Sequence, residues 1–253
     1  MKSMDIAVDK QRIIGFIWQH ILLLLSLFLL ALGVAICIRS SLGSSVISAL
    51  PYSFTLAGED GLVPQLTLGM YTNILNVLLV LGQIIVLRKN FNPIQLLQLF
   101  IGVVFGVLID LSIIMTTVLI TSNIMVQLLE MVAGSSIMAL GVAMEIRCAS
   151  ITMPGEGLPA ALSKLTGKPF ANMKINVDLC LVLSAIISMF IFFGTWRWNI
   201  VGVGTLFAAI YCGMAVKFIN KRLDWFDRLL GYQPGFRRYF FGLAQYLQTR
   251  LHK

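Results

Sequence analysis

The sequence predicts an all-α membrane protein with six transmembrane helices, arranged as two inverted repeats of three helices each. Hydrophobic residues make up 58% of the 253 residues and charged residues only 12%, whereas a soluble domain carries about 25% charge. Six apolar runs approach or exceed the roughly 20 residues that cross a bilayer. The stretch ALGVAICIR at 31–39 returns as ALGVAMEIR at 139–147, which indicates a duplicated membrane unit.

The apolar runs divide the chain into two repeats and a tail. Residues 13–118 form the first three-span repeat, 125–217 form the second, and 218–253 form a basic tail. Because each repeat holds an odd number of spans, the second enters the membrane from the opposite side. The predicted spans are 13–38, 66–87, 94–118, 125–146, 173–193 and 200–217.

The formal net charge of +8 is distributed as in a membrane protein. Lys and Arg concentrate at the N-terminus, after spans two and four, and in the tail, which places both termini in the cytoplasm by the positive-inside rule. This pattern argues against nucleic-acid binding. The tail is predicted to be an amphipathic element on anionic lipid headgroups or, alternatively, a solvated docking helix.

Each repeat is interrupted after its first span. Residues 40–65 and 148–170 are rich in Gly, Ser and Pro, and they follow Arg39 and Arg147. Unpaired backbone groups in a bilayer are tolerated only within protein or beside a cavity, and helix N-termini attract anions. We therefore expect broken or re-entrant segments that converge on one site, with both arginines as donors. In the alternative, the arginines lie at opposite interfaces and snorkel.

Polar residues at matching places in the repeats complete the predicted site. Asn76 aligns with Asp178, and Ser44 aligns with Glu156. Lys174 and Asp178 are four residues apart and can pair, either as a structural interfacial pair or as part of a substrate or proton site. The predicted substrate-binding residues are Arg39, Ser44, Ser45, Asn76, Arg147, Glu156, Lys174 and Asp178, and those predicted for ion or proton coupling are Asp110, Glu156 and Asp178.

Several short motifs suggest a relationship to known membrane proteins. They are PGEGL at 154–158, a Ser-x-x-Thr-Gly turn at 163–167, the Lys174 and Asp178 pair, and a Gly-Thr that opens the last span. In these residues the chain resembles the YczE/YyaS/YitT family of bacterial membrane proteins. The resemblance implies a bacterial inner-membrane protein and little chemistry, since that family largely lacks an assigned function. The first repeat departs from it, because Ser44-Ser45 stand in place of a commoner Ser-Pro-Trp.

These features favour a secondary transporter or binder of a small polar solute, anionic or zwitterionic, that works by alternating access. The alternative is a non-transporting scaffold or regulator that acts through its basic tail. We expect no enzyme activity, cofactor or metal site, because no nucleophile–base motif is visible, the four cysteines form no CxxC pair and the two histidines lie far apart. The expected partners are the bilayer and the solute, and a homodimer is allowed.

Overall fold

The computed structural model describes residues 2–119, 122–148 and 153–230, with side chains from residue 17 onwards. Throughout these residues the chain is helical and contains no strand. Short 3-10 turns occur at Arg88–Asn90, Pro93–Leu96 and Thr117–Leu119. The helices are α1 (Lys2–Arg39), α2 (Val46–Glu59), α3 (Leu68–Leu87), α4 (Leu97–Met115), α5 (Ile124–Cys148), α6 (Pro154–Thr166), α7 (Phe170–Phe193), α8 (Val203–Asn220) and α9 (Asp224–Leu230).

Six helical segments are long and apolar enough to cross a membrane. They agree with the six predicted spans, so the prediction of a multi-pass, all-α membrane protein is confirmed. The predicted and observed boundaries differ by at most four residues. The segments are Ile17–Arg39, Leu68–Asn90, Pro93–Met115, Ile124–Cys148, Phe170–Phe193 and Val203–Asn220.

The central contact of the fold joins α1 to α5, the helices that carry the repeated stretch. Gly33 packs on the backbone of Met138, where a Cβ would lie 2.5 Å from the Met138 nitrogen. Gly141 packs in the same way on Leu30, where a Cβ would lie 2.6 Å from its nitrogen. Small residues therefore bring the two backbones together. The contacts run in opposite directions along the two helices, so α1 and α5 are antiparallel.

The short helices α2 and α6 occupy the interior, with α2 packed on α7 and α6 packed on α3. Ser45 precedes α2 in an extended conformation, and Pro154 opens α6 at a position that needs no N–H donor. Their first turns contact each other, because the Ile47 side chain lies against Gly155. The apolar cluster around them comprises Leu75, Leu79, Val177 and Leu181, with Leu50, Leu158 and Leu162 packed against it.

The first part of the predicted tail docks on its own chain. In α9, the Phe226 side chain is fully buried in the main apolar core, and Leu223 before it is 1% exposed. The indole Nε1 of Trp18 donates to the Leu229 carbonyl at 3.0 Å. Residues 231–253, which hold most of the predicted lipid-binding element and on which the scaffold alternative depends, lie outside the described residues.

Candidate functional site

Four charged side chains of the second repeat lie where α5, α6 and α7 meet, and we call Glu145, Glu156, Lys174 and Asp178 the charged cluster. The Lys174 ammonium lies 2.9 Å from Asp178 Oδ1 on the next turn of α7. It also lies 3.5 Å from the Gly155 carbonyl oxygen, to which it donates. Lys174 therefore links α7 to the first turn of α6. The structure thus brings together three of the predicted site residues, Glu156, Lys174 and Asp178.

Glu145 belongs to the charged cluster, although it is not among the predicted site residues. Its carboxylate is buried, with 5% exposure of the residue, and Oε1 accepts from the Met153 backbone N–H at 3.3 Å. It lies within electrostatic range of Glu156 and Lys174. A signal for it exists in the sequence, because Glu145 stands where the first copy of the repeated stretch has Cys37.

Glu156 is half-buried in the first turn of α6, outside the six long apolar segments. Burial raises the pKa of its carboxyl, the nearby Lys174 opposes this effect, and the Asp178 charge reinforces it. When all four groups of the cluster are ionised, three carboxylates face one ammonium, which leaves a net formal charge of −2. Such a site favours uptake of a proton or of a cationic group.

Two buried amides lie beside the first turn of α6. Gln83 of α3 donates from Nε2 to Gln98 Oε1 of α4 at 3.2 Å. Both amides lie against Gly157, where a Cβ would be 2.6 Å from each of them. The sequence prediction left out both glutamines, although each interrupts an apolar run. They form a neutral polar surface next to the charged cluster.

The two arginines do not converge. Arg39 donates from Nη2 to the Ile113 carbonyl at 2.8 Å, whereas Arg147 bonds to the Asn220 carbonyl and to the Asp227 carboxylate. Each lies near the C-terminal end of its helix, and α1 and α5 are antiparallel. The register of the two helices separates them by about 22 Å at a rise of about 1.5 Å per residue. The two arginines therefore lie at opposite ends of the α1–α5 pair, as in the alternative in which they snorkel at opposite interfaces.

The predicted residues of the first repeat take part in packing. Ser44 donates from both its backbone nitrogen (3.1 Å) and its hydroxyl (2.8 Å) to the Ile200 carbonyl, and the Ser45 hydroxyl pairs with that of Ser48 at 2.7 Å. Asn76 is 2% exposed and packs on Gly102 of α4. Ser44, Ser45 and Asn76 are not part of the charged cluster in this structure.

Asp110 of α4 lies at the N-terminus of α3. Its Oδ1 accepts from the Gly69 N–H at 2.8 Å and its Oδ2 from the Thr67 hydroxyl at 2.7 Å. Gly69 and Gln83 are separated by about 21 Å along α3 at a rise of about 1.5 Å per residue. Asp110 therefore lies near the opposite end of α3 from the glutamines, and it joins α4 to α3. Within the described part of the chain, no three His, Cys, Asp or Glu side chains come together as metal ligands.

The six long apolar helices define an integral membrane protein. Residues 17–221 match the model of DUF6198, described as a family of unknown function, and the chain belongs to this family. No curated protein and no solved structure matches the chain. The family therefore supplies no substrate, and the resemblance to the YczE/YyaS/YitT group stays a prediction.

Proposed function

We propose that the protein is a secondary transporter of a small zwitterionic solute, in which the charged cluster binds the solute and couples its movement to protons. The observation that carries this proposal is the position of Lys174, between the Asp178 carboxylate and the Gly155 carbonyl at the first turn of α6. Ionisable groups within a membrane domain are costly, and they typically mark solute or ion pathways.

The packing of the helices supports two inverted halves. The α2–α7 contact has its counterpart in α6–α3, and α1–α4 has its counterpart in α5–α8. At the centre, Gly33 meets Met138 while Gly141 meets Leu30, so that equivalent positions exchange partners. Two halves related by a pseudo-twofold axis are expected to produce this pattern, and such halves are typical of alternating-access transporters.

The contact between the interior helices supports re-entrant segments. Ile47 in the first turn of α2 touches Gly155 in the first turn of α6. Both helices pack on the apolar cluster between α3 and α7. We infer that the chain turns back within the bilayer after Arg39 and again after Arg147, and that the two short helices start near the middle of the membrane. Their exposed backbone groups then face protein, as the bilayer requires.

The charges of the cluster support a zwitterion rather than an anion. Both arginines are engaged elsewhere, so Lys174 is the cation within the cluster that is available to a solute carboxylate. The Glu145 and Glu156 carboxylates suit the ammonium group of the same solute. Glu156 lies in the first turn of α6 within electrostatic range of Lys174 and Asp178. It is the coupling residue in this proposal, because its carboxylate takes up a proton when the solute ammonium leaves.

Uptake into proteoliposomes tests the proposal. Purified protein is reconstituted with a pH-sensitive dye inside, an inward proton gradient is imposed, and labelled amino acids and glycine betaine are offered beside acetate and choline. We expect uptake of at least one zwitterion together with protons. Lys174→Gln and Asp178→Asn should each lower uptake at least about tenfold, since each removes a charged hydrogen-bonding group. Lys89→Gln, in an exposed turn, is the matched control and should retain uptake.

Three outcomes would contradict parts of the proposal. Uptake of acetate or choline alone would reject the zwitterion. Uptake of a zwitterion that persists in Lys174→Gln and Asp178→Asn would reject the site. No uptake of any probe, by protein that remains folded and monodisperse after reconstitution, would reject the transporter. A further comparison, of Glu156→Gln with wild type, should show uptake without accompanying proton influx if Glu156 is the coupling residue.

A further inference from the structure

The two halves differ at one pair of helices. In the first half, α4 packs along α3, and a Cβ on Gly106 would lie 2.6 Å from the Asn73 amide. In the second half, the equivalent helix α8 packs on α5, and among the described residues it scarcely contacts α7. When Asn92, Leu99 and Phe100 are aligned with Asn199, Leu206 and Phe207, Gly106 corresponds to Gly213 and Asp110 corresponds to Lys217. Gly213 has no described atom within 4 Å of its Cβ position apart from its own helix and neighbours. α7 and α8 therefore do not pack on each other as α3 and α4 do, and we call the space between them the lateral opening.

The opening leads to the charged cluster. The side chains of Lys174 and Asp178 are 30% and 28% exposed, and Cys212, next to Gly213, lies within electrostatic range of both. Around them, α7 and α8 carry exposed apolar side chains such as Leu179 and Ile210. An ion pair in this position faces lipid chains when the opening is empty, which is unfavourable. Closing α8 over α7 would cover it.

A difference in charge between Asp110 and Lys217 accounts for the close packing of α4 on α3 and the lack of packing of α8 on α7. Asp110 accepts hydrogen bonds from Gly69 N–H and Thr67 at the N-terminus of α3, where the helix dipole favours a negative group. The equivalent residue in α8 is Lys217, which is exposed. A lysine has no acceptor for the N–H groups at the start of α7, and its charge is disfavoured there. The contact that fixes α4 to α3 is thus missing between α8 and α7.

We propose that α8 is a lateral gate over the Lys174–Asp178 pair and that this structure holds the gate open. The gate closes when Gly213 seats on α7 as Gly106 seats on α3, while Asp110 keeps α4 in place. The idea that the solute enters through this gate rests on the proposed function. The movement of α8 does not depend on it.

Thiol labelling in lipid nanodiscs tests the gate. Cys37 and Cys148 are buried, so in a Cys180→Ser background the rate of maleimide labelling at Cys212, followed by peptide mass spectrometry, reports the opening. Lys217→Asp restores the acidic partner and should slow labelling about tenfold, the equivalent of one charged hydrogen bond. Lys217→Leu is the matched control. It removes the lysine without adding an acceptor and should leave the rate unchanged.

Spin–spin distances give a second measurement that does not depend on thiol chemistry. Nitroxides on Leu179→Cys and Ile210→Cys, placed in a Cys180→Ser and Cys212→Ser background, face lipid from α7 and α8. The distance between them should shorten in Lys217→Asp and stay unchanged in Lys217→Leu. Lys217→Asn, with a neutral acceptor, should give an intermediate result and serves if Lys217→Asp does not fold.

The outcomes separate the gate from the transport proposal. Equal labelling and equal distances in wild type and Lys217→Asp would overturn the gate. Protection of Cys212 in the wild type, together with spin coupling between chains, would also overturn it and assign the opening to a second copy of this chain. A gate that closes in Lys217→Asp without reducing solute uptake would leave the movement standing and remove its role in access.

Discussion

The α3–α4 and α7–α8 pairs occupy equivalent places in the sequence, yet one is closed and the other is open. In the closed pair, Asn76 packs on Gly102, and Asp110 bonds to the start of α3. In the open pair the equivalent residues are Asp178 and Lys217. A few substitutions that reverse or add charge separate a packed interface from an accessible one, because burying a charge costs more free energy than burying an amide.

The same division extends to the rest of the two halves. Cys37 is fully buried and contacts the Ser135 hydroxyl at 3.7 Å, whereas Glu145 at the equivalent position joins the charged cluster. Ser44 bonds to a backbone carbonyl, whereas Glu156 lies half-buried near Lys174. At these positions the first half therefore has neutral side chains in packing contacts, and the second half gathers ionisable groups in one place.

The largest expected difference between the halves follows from exchanging their midspan polar residues. Asn76→Asp places a carboxylate, without a cation, at a position that is 2% exposed, and it should lower the free energy of unfolding by about 3–5 kcal/mol. Asp178→Asn leaves Lys174 with the Gly155 carbonyl and with a neutral amide acceptor, and it should cost less, about 1 kcal/mol. Thermal and denaturant unfolding in one detergent measure both. Equal losses would mean that the two helix pairs share one environment.

A second pair of variants probes the space between the helices. Gly106→Val inserts a side chain where a Cβ would already lie 2.6 Å from Asn73 and 2.7 Å from the Gly69 carbonyl, and it should cost about 1–3 kcal/mol. Gly213→Val points into the lateral opening and should change the unfolding free energy by less than about 0.5 kcal/mol. A large loss for Gly213→Val would show that α8 spends most of its time closed on α7.

The sequence predicts the six spans, because their apolar runs are long enough to cross a bilayer and a bilayer demands helices. It also predicts the Lys174–Asp178 pair, since spacing of four on one helix settles that contact. For Arg39 and Arg147 the sequence left two alternatives, convergence on one site or separation, and it could not decide between them. Their separation depends on the antiparallel register of α1 and α5, which is set by where Gly33 and Gly141 meet the facing backbone.

The contacts of Glu145 and Asp110 also depend on the packing of helices, which the sequence alone does not predict. Glu145 accepts a hydrogen bond from the N–H of Met153, which directly precedes α6, and no pattern in the sequence predicts that bond. Asp110 is predicted as a coupling residue, since an acid inside a span is typically functional. Its partners, Thr67 and Gly69, lie on the preceding helix, so its role depends on which helices neighbour each other. Whether it also couples ions stays a prediction.

The smallest expected difference concerns the residues that fix α4 and leave α8 free. Asp110→Leu removes the acceptor for Gly69 N–H and the Thr67 hydroxyl at the start of α3, and the loss of such a cap should cost about 1 kcal/mol. Lys217→Leu removes an exposed side chain and should stay within about 0.5 kcal/mol of wild type. Unfolding midpoints of the two variants under identical conditions provide the measurement. If Lys217→Leu were the more damaging, Lys217 would hold a contact that α8 needs, and the gate would require a different source of its freedom.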